Sequence, residues 1–424
     1  MKKVNPRVLI ITYYWPPGSG AGVQRWLKFA KYLPSQGWKP VILTVDPQYA
    51  AFPATDNTLL DEISADLEIY KTKARDWFRI YRRDKTKIPS AGFAANDSNS
   101  LTGKITKFIR GNFFIPDPRR GWNRYAFREA CRLIEKGDIK HIITTSPPHS
   151  TQLIGLALRK KYPSIKWIAD LRDPWTDIYY YDQFYHTPLA RKIDKSYEKR
   201  VLRTADSIIT VGKSLKDIFC SRLPGLENKI EVIPNGYDEE DFSGITSTVP
   251  DVFTISYIGT LSDSYPVAGF MDAYTRLSGS GCTIRLQFVG VVSQDQKEII
   301  LSKSGNSETE FLSYVSHHDA IKLMMGSSLL LLIIPDHFSN KSIITGKLFE
   351  YLASGKPVLC LGPADGDAAA ILEATSHGKC AAYSDGEGIK MIIEGYYNSA
   401  PYSMKKAPGE YSRSVLTKRL VEQF

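Results

Sequence analysis

"SSLLLLIIPDHFSNKSIITGKLFEYLASGKPVLCLG", residues 327–362, reads as a strand, a polar loop, a short helix and a second strand. The run "LLLLIIP" has no polar alternation, which belongs to a strand buried on both faces of a covered sheet. Gly355 ends a helix over about Lys347–Ser354, and Pro357 opens the next strand. Lys347 then stands in the first helical turn, where its cation and the free N–H groups suit phosphate oxygens. Glu350, one turn on, is an acceptor-only carboxylate that suits a vicinal diol such as a ribose. The same spacing also describes an exposed i, i+3 ion pair worth ~0.2–0.5 kcal/mol, and spacing alone leaves both readings open.

Outward from this stretch the pattern repeats. Short Val/Ile/Leu-rich runs ("RVLIITYY", "PVILTVD", "HIITTS", "KWIADLRD", "SIITVG", "IEVIPNG") alternate with amphipathic ones, the mark of a parallel sheet covered by helices. A turn-rich acidic stretch follows, and the alternation restarts at "FTISYIGTL". The 424 residues are enough for two cores. The expected class is α/β, with domains over 1–247 and 248–408 and an amphipathic C-terminal helix over 409–424.

Composition narrows the context. Five scattered cysteines, none in a C-x-x-C pair, fit no disulfide framework and imply a reducing, cytoplasmic compartment. The apolar run near the N-terminus is a strand's length and stops at Pro-Pro-Gly, unlike a signal peptide. No run approaches the ~18 residues that span a bilayer, so any membrane contact is peripheral, at the inner face. The net charge of +10 is uneven: residues 1–247 hold about 40 Lys and Arg against about 27 Asp and Glu, and the remainder is slightly acidic. Residues 71–87 and 104–132 interleave cations with Trp, Phe and Tyr. This composition suits an anionic membrane surface, and equally a solvated helix face with aromatics turned to a core. No nucleic-acid-binding motif accompanies it.

"YYWPPGSGAGVQRW" places Gly18, Gly20 and Gly22 between the first strand and its helix, where backbone N–H groups come close to a bound group. It is not the G-x-G-x-x-G of a dinucleotide site, and an unliganded glycine turn explains it equally.

Taken in order, the glycine loop 18–22, "SPPH" (146–149), "DLRDPW" (170–175), "VIPNGYD" (232–238), "YIGTL" (257–261) and Lys-Leu-x-Glu-Tyr-x-Ala-x-Gly-Lys-Pro-Val (347–358) resemble the family 4 glycosyltransferases. The resemblance covers most of the chain. It implies a GT-B architecture, two Rossmann-like domains facing across a cleft, with residues 409–424 returning to the first domain. It implies a hexosyltransferase-type, metal-independent enzyme that retains the anomeric configuration, uses a nucleotide-sugar as substrate and needs no cofactor. The acceptor would be a glycan or lipid-linked precursor in polysaccharide or cell-envelope biosynthesis.

Donor contacts implied by the resemblance are Glu350 on the ribose, Lys347 toward the diphosphate, Val315 and Ser316 near the base, and Gly259 beside the phosphates, with Gly20 and Gly22 from the glycine loop. Ser146 and His149 are the acceptor contacts. Three features depart from the family pattern. Ser342 stands where many relatives carry a second glutamate; "GTLSDSYP" lacks their phosphate-neutralising Arg and Lys; and Arg172 and Asp173 stand where they often place a catalytic histidine. Lys341 and Lys347 are the substitute cations, and Asp170, Arg172 and Asp173 the catalytic group, against the plainer reading of a structural ion-pair cluster. Asn235 and Gly236 read as a turn, and His317 and His318 as surface or capping residues, not metal ligands. Two other functions fit the same architecture: a nucleotide-sugar epimerase and a non-catalytic sugar-nucleotide-binding subunit.

Overall fold

The computed structural model describes residues 5–75, 77, 101–178, 181–305, 308–400 and 404–424. They form two compact units, Met1–Pro234 with Arg413–Phe424, and Asn235–Ser412. The first contains seven strands: β1 Arg7–Ile11, β2 Lys39–Val45, β3 Glu68–Thr72, β4 His141–Ser146, β5 Lys166–Leu171, β6 Ser207–Thr210 and β7 Ile230–Val232. They pair in parallel in the order β3-β2-β1-β4-β5-β6-β7. Six strands build the second: β8 Phe253–Ile258, β9 Ile284–Val289, β10 Thr309–Leu312, β11 Leu329–Ile333, β12 Val358–Leu361 and β13 Gly378–Ala381. Their order is β10-β9-β8-β11-β12-β13, again parallel.

Both sheets are covered on both faces, which is why their central strands read as continuous apolar runs. Leu9 and Ile11 enter one core of the first unit, and Val8 and Ile10 the other. In the second unit Leu329, Leu331 and Ile333 pack on one face, and Leu330 and Leu332 on the opposite one. Strand order reverses between β1 and β4 and between β8 and β11. In open α/β sheets such a switch point leaves a crevice outside the strands' C-terminal ends. The loops after these four strands carry Gly18–Gly22, "SPPH", Gly259 and the approach to Lys347.

The boundary lies after Pro234, not after residue 247. The intervening segment is tied into the second unit: Tyr237 packs in its core, Ser247 Oγ donates to Met325 O at 3.0 Å, and Lys356 Nζ donates to Thr248 O at 3.2 Å. At the C-terminus, Arg413–Phe424 belongs to the first unit while Gly409–Ser412 stays with the second. Leu416 and Leu420 of the helix Arg413–Val421 are fully buried in the first unit's core beside Phe29 and Leu33. Among the described residues no helix is long and apolar enough to cross a membrane.

Candidate active site

In the second unit the helix Gly346–Ser354 begins behind β11, with Thr345 as its N-cap and Gly355 in the left-handed region at φ 69. Leu348, Phe349 and Leu352 anchor its buried face. Tyr351 ties it to the sheet, its hydroxyl accepting from the Ile258 N–H at 3.1 Å. On this support Lys347 and Glu350 point to different partners. Lys347 Nζ donates to Tyr257 Oη at 2.9 Å and lies 4.2 Å from that ring's centroid. Glu350 Oε1 meets His317 Nε2 at 3.1 Å. No ion pair joins the two, so the plain i, i+3 pairing does not hold. Desolvation pushes the Lys347 ammonium down to about 7, against the opposing pull of Glu350.

Gly259 explains how Lys347 reaches that place. A Cβ there would stand 2.3 Å from Lys347 Cε and 2.5 Å from Nζ, and φ is +128. The lysine therefore runs across a turn that only glycine leaves open. The Gly259 N–H is itself engaged with Val289 O at 2.7 Å, so the residue serves by its missing side chain, not by a free amide aimed at phosphate. Ser316 is the N-cap of the helix His317–Met325, its Oγ accepting from Asp319 N at 3.2 Å, and Val315 packs beside the core. Capping thus falls to Ser316, and His317 instead faces Glu350. Lys341 is exposed and paired with Asp365, and Ser342 Oγ donates to its own turn at Ser339 O, 3.0 Å.

The first unit handles charge differently. Asp170, at the end of β5, is fully buried and takes hydrogen bonds from Arg25 Nη2 (3.2 Å), Trp26 Nε1 (2.8 Å) and Thr145 Oγ1 (2.7 Å). Arg25 is itself fully buried and also donates to Pro234 O at 2.9 Å. Asp170 is therefore a positioning residue with no face left for substrate, a correction to its catalytic reading. Arg172 lies just outside: Nε is 3.7 Å from Asp170 Oδ2, and Nη2 donates to Pro147 O at 3.3 Å. Its guanidinium fills the space a side chain at Gly22 would need, 2.2 Å from the hypothetical Cβ, which gives Gly22 a packing role. Gly20, the helix N-cap at φ 109, opens onto free space. Asp173 has no hydrogen-bond partner among the described residues, and burial raises its carboxyl against the lowering effect of Arg172. Of the three, Asp173 keeps a free carboxylate.

Ser146 is fully buried, donating to Asp170 O at 3.2 Å and accepting from Gln152 Nε2 at 3.1 Å; this removes it from the acceptor contacts. His149 is placed differently. Its ring stacks on Trp175 at 4.9 Å, and it lines a cavity of about 210 Å³. Asp117, Trp175 and Asp194, also on that cavity's wall, were not singled out by sequence, because the topology gathers them from separate loops and helices. Of the basic aromatic stretches, residues 78–87 lie outside the described residues. The helix Leu101–Phe113 carries Lys104 and Lys107 and leaves Ile105, Phe108 and Phe113 exposed. Gly236 at φ 68 forms the turn expected of it. Among the described residues no group of three or more His, Cys, Asp or Glu is arranged to hold a metal ion.

Residues 90–241 match the family model described as Glycosyltransferase Family 4. That match spans less than half of the chain, and the fold of the whole is that of the GT-B glycosyltransferases. It is similar to a glycosyltransferase from Rickettsia africae ESF-5, with a TM-score of 0.63 and 16% identity over 99% of this chain and 97% of that one. Anabaena Alr3699/HepE, solved in complex with UDP, is similar at a TM-score of 0.61 and 13% identity, with 98% of each chain covered. A putative UDP-N-acetylglucosamine 2-epimerase from Listeria monocytogenes has a TM-score of 0.55 at 11% identity, with 98% of this chain and 94% of that one covered. No curated protein matches the chain.

Proposed function

We propose that the chain is a retaining glycosyltransferase that moves a sugar from a nucleotide-sugar, held on the second unit, to a hydroxyl of a glycan or lipid-linked acceptor held on the first. The observation that carries this reading is the separation of Lys347 from Glu350 at one helix start. Breaking the anomeric C–O bond leaves negative charge on the departing diphosphate, and the Lys347 ammonium with the first N–H groups of Gly346–Ser354 supplies fixed stabilisation for it. Glu350, oriented by His317, accepts from the ribose diol. Asp173 is the carboxylate available to orient the acceptor hydroxyl, with Arg172 beside it.

The Anabaena protein was solved with UDP, which makes UDP-sugars the first donors to test. The helix Leu101–Phe113, with exposed apolar side chains among its lysines, supports docking on an anionic membrane surface. The Listeria neighbour keeps an epimerase as the second reading. Incubation with UDP-sugars, with and without acceptors, separates them: acceptor-dependent release of UDP and a glycosylated product support transfer, an isomerised donor supports epimerisation, and donor binding without turnover defeats both.

A further inference from the structure

The cavity in the first unit has walls that discriminate between kinds of ligand. Tyr14, Trp175, Phe184 and several prolines give it apolar, rigid faces. Its ionic groups are already engaged. Asp117 accepts from the Ser150 N–H and hydroxyl at 2.7 and 2.9 Å, and Asp194 from Trp175 and Tyr181 at 2.7 and 3.0 Å. The Arg110 guanidinium lies 4.1 Å from the centroid of the Phe184 ring, and Arg119 donates to Ala51 O at 3.5 Å.

The imidazoles contrast with them. His149 is 8% exposed, and both of its ring nitrogens are buried without a hydrogen-bond partner. His186 Nδ1 is buried and unpartnered as well. Burial keeps both rings neutral, His149 being pushed down to about 3 and His186 to about 4. A neutral imidazole offers one donor and one acceptor nitrogen, and leaving buried polar atoms unpaired is unfavourable. A group that both donates and accepts satisfies it, as a hydroxyl does. Ionised phosphate only accepts, so it would leave the acceptor nitrogen of His149 unpaired. At about 210 Å³ the space falls below the ~300 Å³ of drug-sized pockets, room for one ring.

We propose that this cavity seats a neutral sugar ring, the terminal residue of the acceptor, with the nitrogens of His149 hydrogen-bonded to its hydroxyls. The inference rests on the glycosyl-transfer reading, so its test is run without donor. Saturation-transfer NMR with a panel of neutral methyl pyranosides should detect binding of at least one to the wild-type chain. His149→Phe, which keeps a ring on Trp175 but loses both nitrogens, should weaken that binding about tenfold or more, and His149→Gln, which restores a donor and an acceptor, should recover most of it. The urea-unfolding midpoint and the near-UV circular dichroism, measured in parallel, should be the same in all three proteins and show that the first unit is folded in the variants, and UDP affinity should be unchanged as well. The proposal is overturned if no pyranoside binds, if His149→Phe binds as well as wild type, or if inorganic phosphate displaces the glycoside. Loss of UDP binding by the wild type would instead strike at the donor reading.

Discussion

The two units share a topology and use the ends of their strands in opposite ways. In the first, the C-terminal ends of β4 and β5 are closed by a buried network in which Asp170 joins Arg25, Trp26 and Thr145. In the second, the end of β8 is a glycine turn crossed by a lysine that has no carboxylate partner. Charges neutralised inside the protein hold a loop in place, whereas a cation held only by a phenol and a ring face stays available to an incoming anion. The difference separates scaffold from site more sharply than any motif does.

Breaking the network should have the largest effect. Asp170→Ala leaves Arg25 buried without its counter-charge and should destabilise by about 3–5 kcal/mol, seen as a lowered midpoint in urea unfolding. A loss under 1 kcal/mol would remove the distinction between the units. Gly259→Ala should be next: a Cβ at φ +128 meets the Lys347 side chain, and strain of about 1–3 kcal/mol is expected together with weaker UDP-sugar binding. Unchanged affinity would show that Lys347 does not need its present course.

Glu350→Gln is milder, with roughly tenfold weaker UDP-sugar binding and little change in unfolding midpoint, because the carboxylate is partly exposed and its one described partner is His317. An unaltered affinity would contradict the ribose contact. The smallest effect is on pH dependence. Lys347 is charged below about 7 and loses its proton above, so UDP-glucose affinity should fall a few-fold between about pH 6 and pH 8.5, and Lys347→Gln should flatten the profile. Stability runs the other way: a depressed lysine makes the unfolded chain bind more protons, so stability rises with pH between about 7 and the ordinary lysine range.

The central strands were legible in sequence because burial on both faces removes polar residues from them. One edge strand of each sheet was not: β3, "EIYKT", is only half-buried, and β13, "GKCA", has no apolar run to announce it. The helix Gly346–Ser354 was readable from its glycine stop and the proline strand that follows, and the place of Lys347 in its first turn followed. What local spacing could not supply was every contact made across the fold. His317 meets Glu350 from 33 positions away, Arg25 meets Asp170 from 145, and the cavity around His149 draws on segments far apart in the chain. Ser146 and Asp170 were misassigned for the same reason, since the motif marks their position while burial decides their role.

The return of Arg413–Phe424 to the first unit constrains how the protein can be dissected. Truncation before Arg413 would strip Leu416 and Leu420 from a core that residues 5–234 otherwise provide, so an N-terminal fragment would expose an apolar scar and tend to aggregate. A separately expressed first unit therefore has to be spliced from residues 5–234 and 413–424, whereas the second can be cut as one uninterrupted piece.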